Sequence, residues 1–292
     1  MPPDADGKVQ GLLAAAGAAL RPASDSPDLD AELLLAQVLG RTRAWLKAHG
    51  EHAVNASEAS RYAGLLSRRM AGEPVAYLLG HRGFLHLELE VGPGVLVPRP
   101  ETELLVETAL ELVRARPAPL LLDLGTGSGA VVLALAQARP DARITGVEAS
   151  ASALSYTRRN AARLALADLE LLEGSWYEPL PGRRFHCIVS NPPYLATDDP
   201  HLAKLAHEPR TALVAGPLGT EALAEIISRA PDHLLPGGCL AVEHGYRQGA
   251  EVRRLMQESG LTAIHTQRDL AGHERVTHGE YTNDPSSAQE PS

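Results

Sequence analysis

The sequence predicts an α/β fold in which a mostly parallel, doubly wound sheet follows a small helical bundle and a β-hairpin. An apolar run, a glycine-rich turn and a helix-forming segment succeed one another over residues 119–136, the pattern of a strand, a tight loop and a helix. Short apolar runs and helix-like segments continue to residue 278, whereas residues 7–70 show only helical spacing. With 292 residues, 44% of them hydrophobic, the chain is long enough for a large domain and a smaller unit.

The amino-terminal region is predicted to be a helical bundle over residues 1–75. Apolar residues at helical spacing predict helices over residues 7–20, 28–39 and 57–70. Residues 72–80 are bounded by glycines and are interpreted as a hinge. Residues 84–91 alternate between apolar and polar side chains, which predicts a half-exposed strand in a hairpin. Residues 76–98 are therefore assigned as a hairpin linker.

The larger domain is predicted to span residues 99–279. Pro100 and the acidic residues after it favour a helix start, and we expect an amphipathic helix over residues 104–114. Residues 280–292 lack apolar periodicity and are expected to form a disordered tail. The later elements of the domain are predicted as helices over residues 219–235 and 248–259 and strands over residues 143–148, 185–190, 238–242, 262–268 and 275–278.

A glycine-rich loop, Gly125-Thr126-Gly127-Ser128-Gly129, follows the first strand of this domain. Its glycines allow a ligand to approach the backbone, and Gly125, Gly127 and Ala130 fit the fingerprint G-x-G-x-x-(G/A). Taken alone, the loop fits a nicotinamide or flavin binder as well as an adenosylmethionine binder. Glu148 ends the next strand, where a carboxylate accepts both ribose hydroxyls of a nucleotide cofactor.

The tetrapeptide Asn191-Pro192-Pro193-Tyr194 directly follows the apolar run 185–190. The strand must end there, because neither proline has an N–H for the sheet and the first excludes Asn191 from helical conformation. The Asn191 side-chain oxygen and backbone carbonyls can converge on one planar NH2 group, with the Tyr194 ring over its face. Ligands of open α/β sheets bind at the carboxyl ends of the strands, so we expect this loop and the glycine loop to share one crevice.

Composition excludes several classes of protein. The net charge of −9 disfavours a nucleic-acid partner, because proteins that neutralise many phosphates usually present a basic surface. The chain contains no apolar stretch near the roughly 20 residues of a membrane span, and its first residues are polar, so we expect no membrane segment, no signal peptide and a cytoplasmic location. The 12 histidines and two cysteines form no ligand motif, so no metal is assigned.

Six motifs follow one another along the chain: Gly72-Glu73-Pro74, Pro98 to Glu103, Asp123 to Gly129, Asn191 to Tyr194, Glu243-His244-Gly245 and Glu274-Arg275-Val276. Their order resembles that of the PrmC (HemK) family. The resemblance covers the chain except its tail, and it implies a Rossmann-like class I methyltransferase domain behind a helical domain that recognises a substrate protein. It further implies methyl transfer from S-adenosyl-L-methionine, leaving S-adenosyl-L-homocysteine, to the side-chain amide nitrogen (N5) of a glutamine in the Gly-Gly-Gln loop of peptide chain release factors. A monomer without direct nucleic-acid contacts is expected.

The same resemblance assigns roles to individual residues. Glu148 stands where many relatives have Asp, and its extra methylene is expected to shift the ribose contact slightly. Ser175 stands where Asp is common, so a hydrogen bond to the adenine amino group is not carried over. The implied cofactor-binding residues are Gly125, Thr126, Gly127, Ser128, Gly129, Glu148, Trp176 beside the adenine, and Asn191 at the methionine part. The implied glutamine-holding residues are Asn191, Pro192, Pro193 and Tyr194, of which Asn191, Pro192 and Tyr194 are the catalytic candidates.

Other functions remain open from sequence. The enzyme could act on a glutamine of a ribosomal protein or on the N6 nitrogen of adenine in nucleic acid. A different class of function is a cofactor-binding interaction module without activity, which the intact Asn191-Pro192-Pro193-Tyr194 loop disfavours.

Overall fold

The computed structural model describes residues 7–166 and 169–282, and the chain divides into two compact units. One unit extends to Arg82 and takes in Lys204–His207; the other begins at Gly83 and holds the remaining described residues. The second unit contains the mixed α/β sheet, which confirms the predicted fold class. No helix in the described part of the chain is long and apolar enough to cross a membrane.

The first unit is a helical bundle. Thr42 caps the third helix, and Asn55 with Glu58 forms a capping box at the start of the fourth, so polar side chains satisfy the free N–H groups there. Leucines from the first three helices surround Tyr62, whose hydroxyl donates to the Ala31 carbonyl at 3.0 Å. The described helices are α1 (Val9–Leu20), α2 (Pro27–Leu39), α3 (Arg43–Ala48), α4 (Ala56–Met70) and α5 (Val75–Leu79).

The second unit is built on a seven-stranded sheet. Its strand order is β10-β11-β9-β6-β3-β4-β5, with β3, β4, β5, β6 and β9 parallel and β11 antiparallel to both β9 and β10. A hairpin and a two-stranded parallel pair complete the strands. The hairpin consists of β1 and β2, and the parallel pair consists of β7 and β8. All described strands are β1 (His81–Phe84), β2 (Leu87–Glu90), β3 (Leu120–Leu124), β4 (Arg143–Glu148), β5 (Glu170–Glu173), β6 (Phe185–Ser190), β7 (Leu195–Ala196), β8 (Val214–Gly216), β9 (Leu234–Glu243), β10 (Thr262–Arg268) and β11 (Glu274–Tyr281).

Helices cover both faces of the seven-stranded sheet. Successive residues of a strand point to opposite faces, and accordingly Leu121 joins one buried cluster while Leu122 joins the other. The first cluster includes residues of α6, α7 and α8, and the second includes residues of α9 and α10. The helices are α6 (Glu103–Leu112), which follows a 3-10 turn at Pro100–Thr102, α7 (Ala130–Ala138), α8 (Ala151–Arg163), α9 (Glu221–His233) and α10 (Gly249–Glu258).

Three expectations differ from the structure. Residues 84–91 form two strands rather than one, because the chain turns at Leu85, whose φ is 49°. The segment interpreted as a hinge contains the short helix α5, which ends at Gly80 with a left-handed φ of 80°. Strand β11 continues to Tyr281, past the expected start of the tail, because its final residues pair with β9. Residues 283–292 of the tail lie outside the described residues, and the other domain boundaries stay predictions.

Candidate active site

Strand register brings three loops of the second unit to the same edge of the sheet. Leu124, the last residue of β3, is the register partner of both Ser190 at the end of β6 and Val147 near the end of β4. The residues that follow, Gly125, Asn191 and Glu148, therefore leave the sheet at one level. This is the carboxyl edge, where open α/β sheets bind their ligands.

A cavity of about 430 Å³ opens at this edge. A volume of this size suits a small-molecule ligand, since such pockets usually measure about 300–1,000 Å³. Its lining includes six of the residues that the sequence assigned to the site, which are Gly125, Gly127, Glu148, Trp176, Asn191 and Pro193. The structure thus brings four of the other cofactor candidates and the Asn191 loop to a single cavity.

The glycine loop needs its unusual backbone. Gly125 has a φ of 80°, in the left-handed region, and its N–H donates to the Val147 carbonyl at 2.8 Å. A Cβ atom at Gly125 would lie 3.5 Å from the Trp176 ring, so a side chain there would extend into the space beside that ring. Gly129, with a φ of 91°, precedes α7, and a Cβ atom would lie 2.7 Å from Leu133. Both glycines are required by geometry.

Three other loop residues lie behind the cavity wall. Thr126 and Ser128 are 5% and 2% exposed, and the hydroxyl of Thr126 is 3.3 Å from that of Thr157. The Ser128 carbonyl accepts a hydrogen bond from Asn160 at 2.9 Å. Neither residue, nor Gly129, belongs to the described lining of the cavity. Their contacts support the shape of the loop, and their direct contact with a cofactor stays a prediction.

Glu148 is held firmly by backbone donors. One carboxylate oxygen accepts the Gly127 N–H at 2.8 Å, and the other accepts the Ser150 N–H at 2.9 Å. A carboxylate has about four acceptor positions, so each oxygen retains one for a ligand hydroxyl. The bond from Gly127 ties Glu148 to the glycine loop, a link that the sequence pattern did not reveal.

Trp176 lines the cavity beside Gly125. Its φ of 46° lies in the left-handed region, which is strained for a bulky residue and is typical of functional sites. The ring packs against the second buried cluster, and neighbouring Ser175 also lines the cavity. The Ser175 N–H donates to Glu178 at 3.2 Å. The position of the ring fits the predicted stacking role, which stays a prediction.

The members of the Asn191-Pro192-Pro193-Tyr194 loop have different surroundings. Asn191 and Pro193 line the cavity, whereas Pro192 is buried. The Tyr194 ring packs against the second buried cluster, and burial raises the pKa of its hydroxyl. The Tyr194 carbonyl accepts a hydrogen bond from Gln248 at 3.0 Å, which ties the loop to the segment after β9. The predicted covering of a substrate amide by the Tyr194 ring stays a prediction.

A buried polar cluster that the sequence analysis did not assign lies beside Asn191. The Asn191 Nδ2 donates to the hydroxyl of Thr102 at 3.0 Å, and the Thr102 side chain lies beside the carboxyl group of Glu243. Thr102 is 4% exposed and Glu243 is 1% exposed. Burial raises the pKa of Glu243 to about 7, and the Thr102 side chain and the nearby Arg275 act in the opposite direction. Thr102 and Glu243 both belong to motifs that carry the family resemblance. Those motifs are the signal by which the sequence could have identified the two residues.

Other buried groups support the site. Arg99 pairs with Glu208 at 2.5 Å, and Glu208 also accepts the Val97 N–H at 3.0 Å. Asp123, beneath the glycine loop, accepts the Val132 N–H at 3.1 Å in the first turn of α7, and burial raises its pKa to about 7. His244 is fully buried, and its ring nitrogens lie 2.9 Å from the Gly245 carbonyl and 2.8 Å from the Thr277 hydroxyl. The described residues contain no group of three His, Cys, Asp or Glu side chains suited to a metal.

Comparison with known proteins agrees with this arrangement. Two family models match: the PrmC N-terminal domain over residues 11–80, and the methyltransferase small domain over residues 100–260. Two solved structures share the fold. They are a 16S rRNA methyltransferase of T. thermophilus in complex with AdoMet and guanosine (TM-score 0.53, 24% identity, covering 68% of this chain and 49% of that one) and a methyltransferase from Pyrococcus furiosus (TM-score 0.51, 18% identity, covering 75% and 99%).

Curated relatives match over nearly their whole length. The release factor glutamine methyltransferase of Pseudomonas aeruginosa is 48% identical over 262 residues, covering 89% of this chain and 95% of the relative. The enzyme of the same name from Bordetella pertussis is 48% identical over 256 residues, covering 87% and 94%. With such identity over both units and a site at the expected edge of the sheet, this chain belongs to the release factor glutamine methyltransferase family.

Proposed function

We propose that this protein transfers a methyl group from S-adenosyl-L-methionine to the side-chain amide nitrogen of a glutamine in peptide chain release factors. The observation that carries this proposal is the common level at which Gly125, Glu148 and Asn191 leave the sheet, because it joins a cofactor loop and an amide-binding loop at one cavity. Membership of the family named for this reaction supports the choice of substrate.

The residues of the cavity fit the cofactor. Gly125 and Gly127 present backbone without side chains, and Glu148 keeps acceptor positions for two hydroxyl groups. Trp176 offers an aromatic face for a purine, since aromatic rings favour stacked arrangements. When bound, S-adenosyl-L-methionine supplies an electrophilic sulfonium methyl group. We assign its ribose to Glu148 and its adenine to the side of Trp176.

The Asn191 loop is proposed to position the substrate glutamine. A carboxamide nitrogen is a weak nucleophile, because its lone pair is delocalised into the carbonyl group. The Asn191 side-chain oxygen and the Pro192 carbonyl accept the two N–H bonds of the amide and fix the direction of its nitrogen. Alignment of this kind is worth roughly 7–11 kcal/mol in well-oriented reactions.

The same acceptors favour the transition state. Positive charge grows on the amide nitrogen as it bonds to the methyl carbon, and oxygen acceptors pointed at its hydrogens stabilise that charge. The nitrogen loses one proton once it is methylated, so the reaction needs no dedicated general base. Tyr194 is proposed to hold the substrate side chain against the loop, and Pro193 shapes the wall between the two ligands.

The test is a methylation assay with labelled S-adenosyl-L-methionine and separately purified release factors, ribosomal proteins, DNA and RNA. We expect label on one glutamine of the release factor, located by peptide mass spectrometry, and a rate of labelling at least about 10² lower with the Asn191→Ala variant. Label confined to a ribosomal protein or to nucleic acid would show that this molecule, and not a release factor, is the substrate. Cofactor binding without label on any macromolecule would favour the interaction module.

We also propose roles for the regions of the chain. The bundle over residues 1–75 recognises the substrate protein, residues 76–98 link it to the catalytic domain, and residues 99–279 carry out the transfer. Two of these regions correspond closely to the family models over residues 11–80 and 100–260. A substrate that works in translation implies a cytoplasmic location.

A further inference from the structure

The mechanism above leaves a buried carboxyl group unexplained. Glu243 ends β9 and is 1% exposed, and its Oε2 has no hydrogen-bond partner among the described residues. Burying an ionisable group costs free energy unless it is paired, so a carboxyl at this position calls for a function. Arg275 and Arg99 act on Glu243 only as nearby charges. The polar side chain beside it is that of Thr102, which lowers the pKa of the carboxyl group.

Thr102 connects Glu243 to the amide-binding loop. Its Oγ1 accepts a hydrogen bond from the Asn191 Nδ2 at 3.0 Å, and the same side chain lies beside the Glu243 carboxyl group, whose pKa it lowers. Thr102 is 4% exposed, so water does not compete for these contacts. The three side chains form a continuous series from the end of β9 through the turn before α6 to the loop after β6.

The donors and acceptors of these three side chains determine which group donates in each contact. A carboxylate can only accept hydrogen bonds, and a hydroxyl group has one hydrogen to donate. When Thr102 donates that hydrogen to the Glu243 carboxylate, its oxygen remains only as an acceptor. The side of Asn191 that faces Thr102 must then be the NH2 group. The Asn191 carbonyl oxygen is left for the cavity that this residue lines.

We propose that Thr102 and Glu243 are positioning residues that hold the Asn191 side-chain oxygen toward the substrate amide. The inference rests on the proposed function, since it concerns how the amide-binding loop meets its substrate. In the opposite orientation the Asn191 NH2 group would face the NH2 group of the glutamine, and two donors would meet without an acceptor. The series therefore selects the orientation that binds a carboxamide nitrogen.

The decisive variant is Thr102→Val, which keeps the shape of the side chain and removes the hydroxyl group that accepts from Asn191 and lies beside Glu243. With a purified release factor, we expect kcat to fall by at least about tenfold while the calorimetric affinity for S-adenosyl-L-methionine stays within about threefold. Thr102→Ser restores the hydroxyl and should recover most of the lost kcat. A loss of kcat that Ser does not recover would mean that Thr102 acts through packing, which overturns the proposal.

A double variant separates positioning from general damage to the fold. If Thr102 acts through Asn191, adding Thr102→Val to Asn191→Ala should change kcat by less than about twofold, because coupled residues do not have additive effects. Losses that multiply in the double variant would overturn the proposal. Melting temperatures of the wild type, the two single variants and the double variant identify any protein that fails to fold. If one fails, the recovery of kcat in Thr102→Ser decides whether the proposal holds.

A second readout does not depend on the substrate. The side-chain amide signals of Asn191, assigned by their absence in Asn191→Ala, can be followed by NMR in the full chain. They should move in Thr102→Val and return toward their original position in Thr102→Ser. Unmoved signals contradict the inference. Failure of the wild-type protein to methylate a release factor would instead contradict the proposed function, so the two failures are distinguishable.

Discussion

Leu124 and Ser190 are register partners on the adjacent parallel strands β3 and β6. Because they pair, the glycine loop and the amide-binding loop begin side by side although they are far apart in sequence. Ser190 strengthens this arrangement, since its hydroxyl donates to the Leu124 carbonyl at 2.7 Å. A shift of one residue in this register would move one loop away from the other and separate the two halves of the cavity.

Replacing Asn191 by Ala should disable transfer with little effect on the cofactor. One positioned polar group at a reacting centre is typically worth about 2.7–4 kcal/mol, so we expect turnover to fall by at least about 10². Affinity for S-adenosyl-L-methionine should stay within about tenfold, because Glu148 and the glycine loop remain. Turnover is measured with purified release factor and affinity by calorimetry. Unchanged turnover would show that Asn191 does not hold the substrate.

Replacing Glu148 by Ala should weaken the cofactor. The change removes acceptors for the ribose and also frees the Gly127 N–H that Glu148 holds at 2.8 Å. Hydrogen bonds to charged groups contribute about 1.5–3 kcal/mol, so we expect the dissociation constant for S-adenosyl-L-methionine to rise at least about tenfold. Calorimetry with this single ligand measures the effect.

Glu173→Ala is the matched control for that experiment. Glu173 is the register partner of Glu148 on β5 and lies outside the described lining of the cavity. The Glu173→Ala change removes a carboxylate of the same size from the same level of the sheet. Equal losses of affinity in both variants would indicate a general effect of charge and would contradict the assigned role of Glu148.

Replacing Tyr194 by Ala should act mainly on the protein substrate. We expect KM for the release factor to rise, because the ring is proposed to hold the glutamine side chain, and cofactor affinity to remain. Tyr194→Phe keeps the ring and the packing against the second buried cluster and should behave much more like the wild type. Loss of S-adenosyl-L-methionine binding in Tyr194→Ala, measured by calorimetry, would place the ring on the other ligand.

Turnover should depend on pH through Glu243. Burial raises its pKa to about 7, and the groups that face it are Thr102, Arg275, Arg99, Glu101 and Tyr194. Above this pKa the carboxylate accepts from Thr102 and the orientation of Asn191 is set. Below it the protonated carboxyl can donate, and the constraint is lost. We therefore expect kcat to fall as the pH drops through about 7.

Glu243→Gln removes this titration and should flatten that part of the kcat profile. An unchanged profile in the variant would assign the pH dependence to another group. Stability should follow the opposite trend to activity. An acid whose pKa is raised by folding favours the native state below its unfolded pKa, and that contribution is lost as the pH rises through the folded value. Thermal melts of the wild type and Glu243→Gln between pH 4.5 and 8 measure the difference.

Local pattern determined most of the fold. The glycine loop between an apolar strand and a helix-forming segment, and the two prolines that end β6, depend on backbone geometry that neighbouring residues impose. For that reason the elements of the second unit that were predicted beyond the hairpin agree with their positions within a few residues, whereas α8, β5, β7 and β8 were not predicted. The turn at Leu85 was missed, because the apolar residues on both sides of it continue the strand pattern.

Tertiary structure decided what each site residue contacts. The sequence by itself determined the fold class, the loops that border the cavity and the family to which the chain belongs, since these follow from short segments and their order. Folding decided that Thr126 and Ser128 lie behind the loop and that Glu148 holds the Gly127 N–H. It also brought Thr102 and Glu243 to Asn191 from distant parts of the chain. Such contacts depend on strand register and helix packing, which join residues that no local pattern connects.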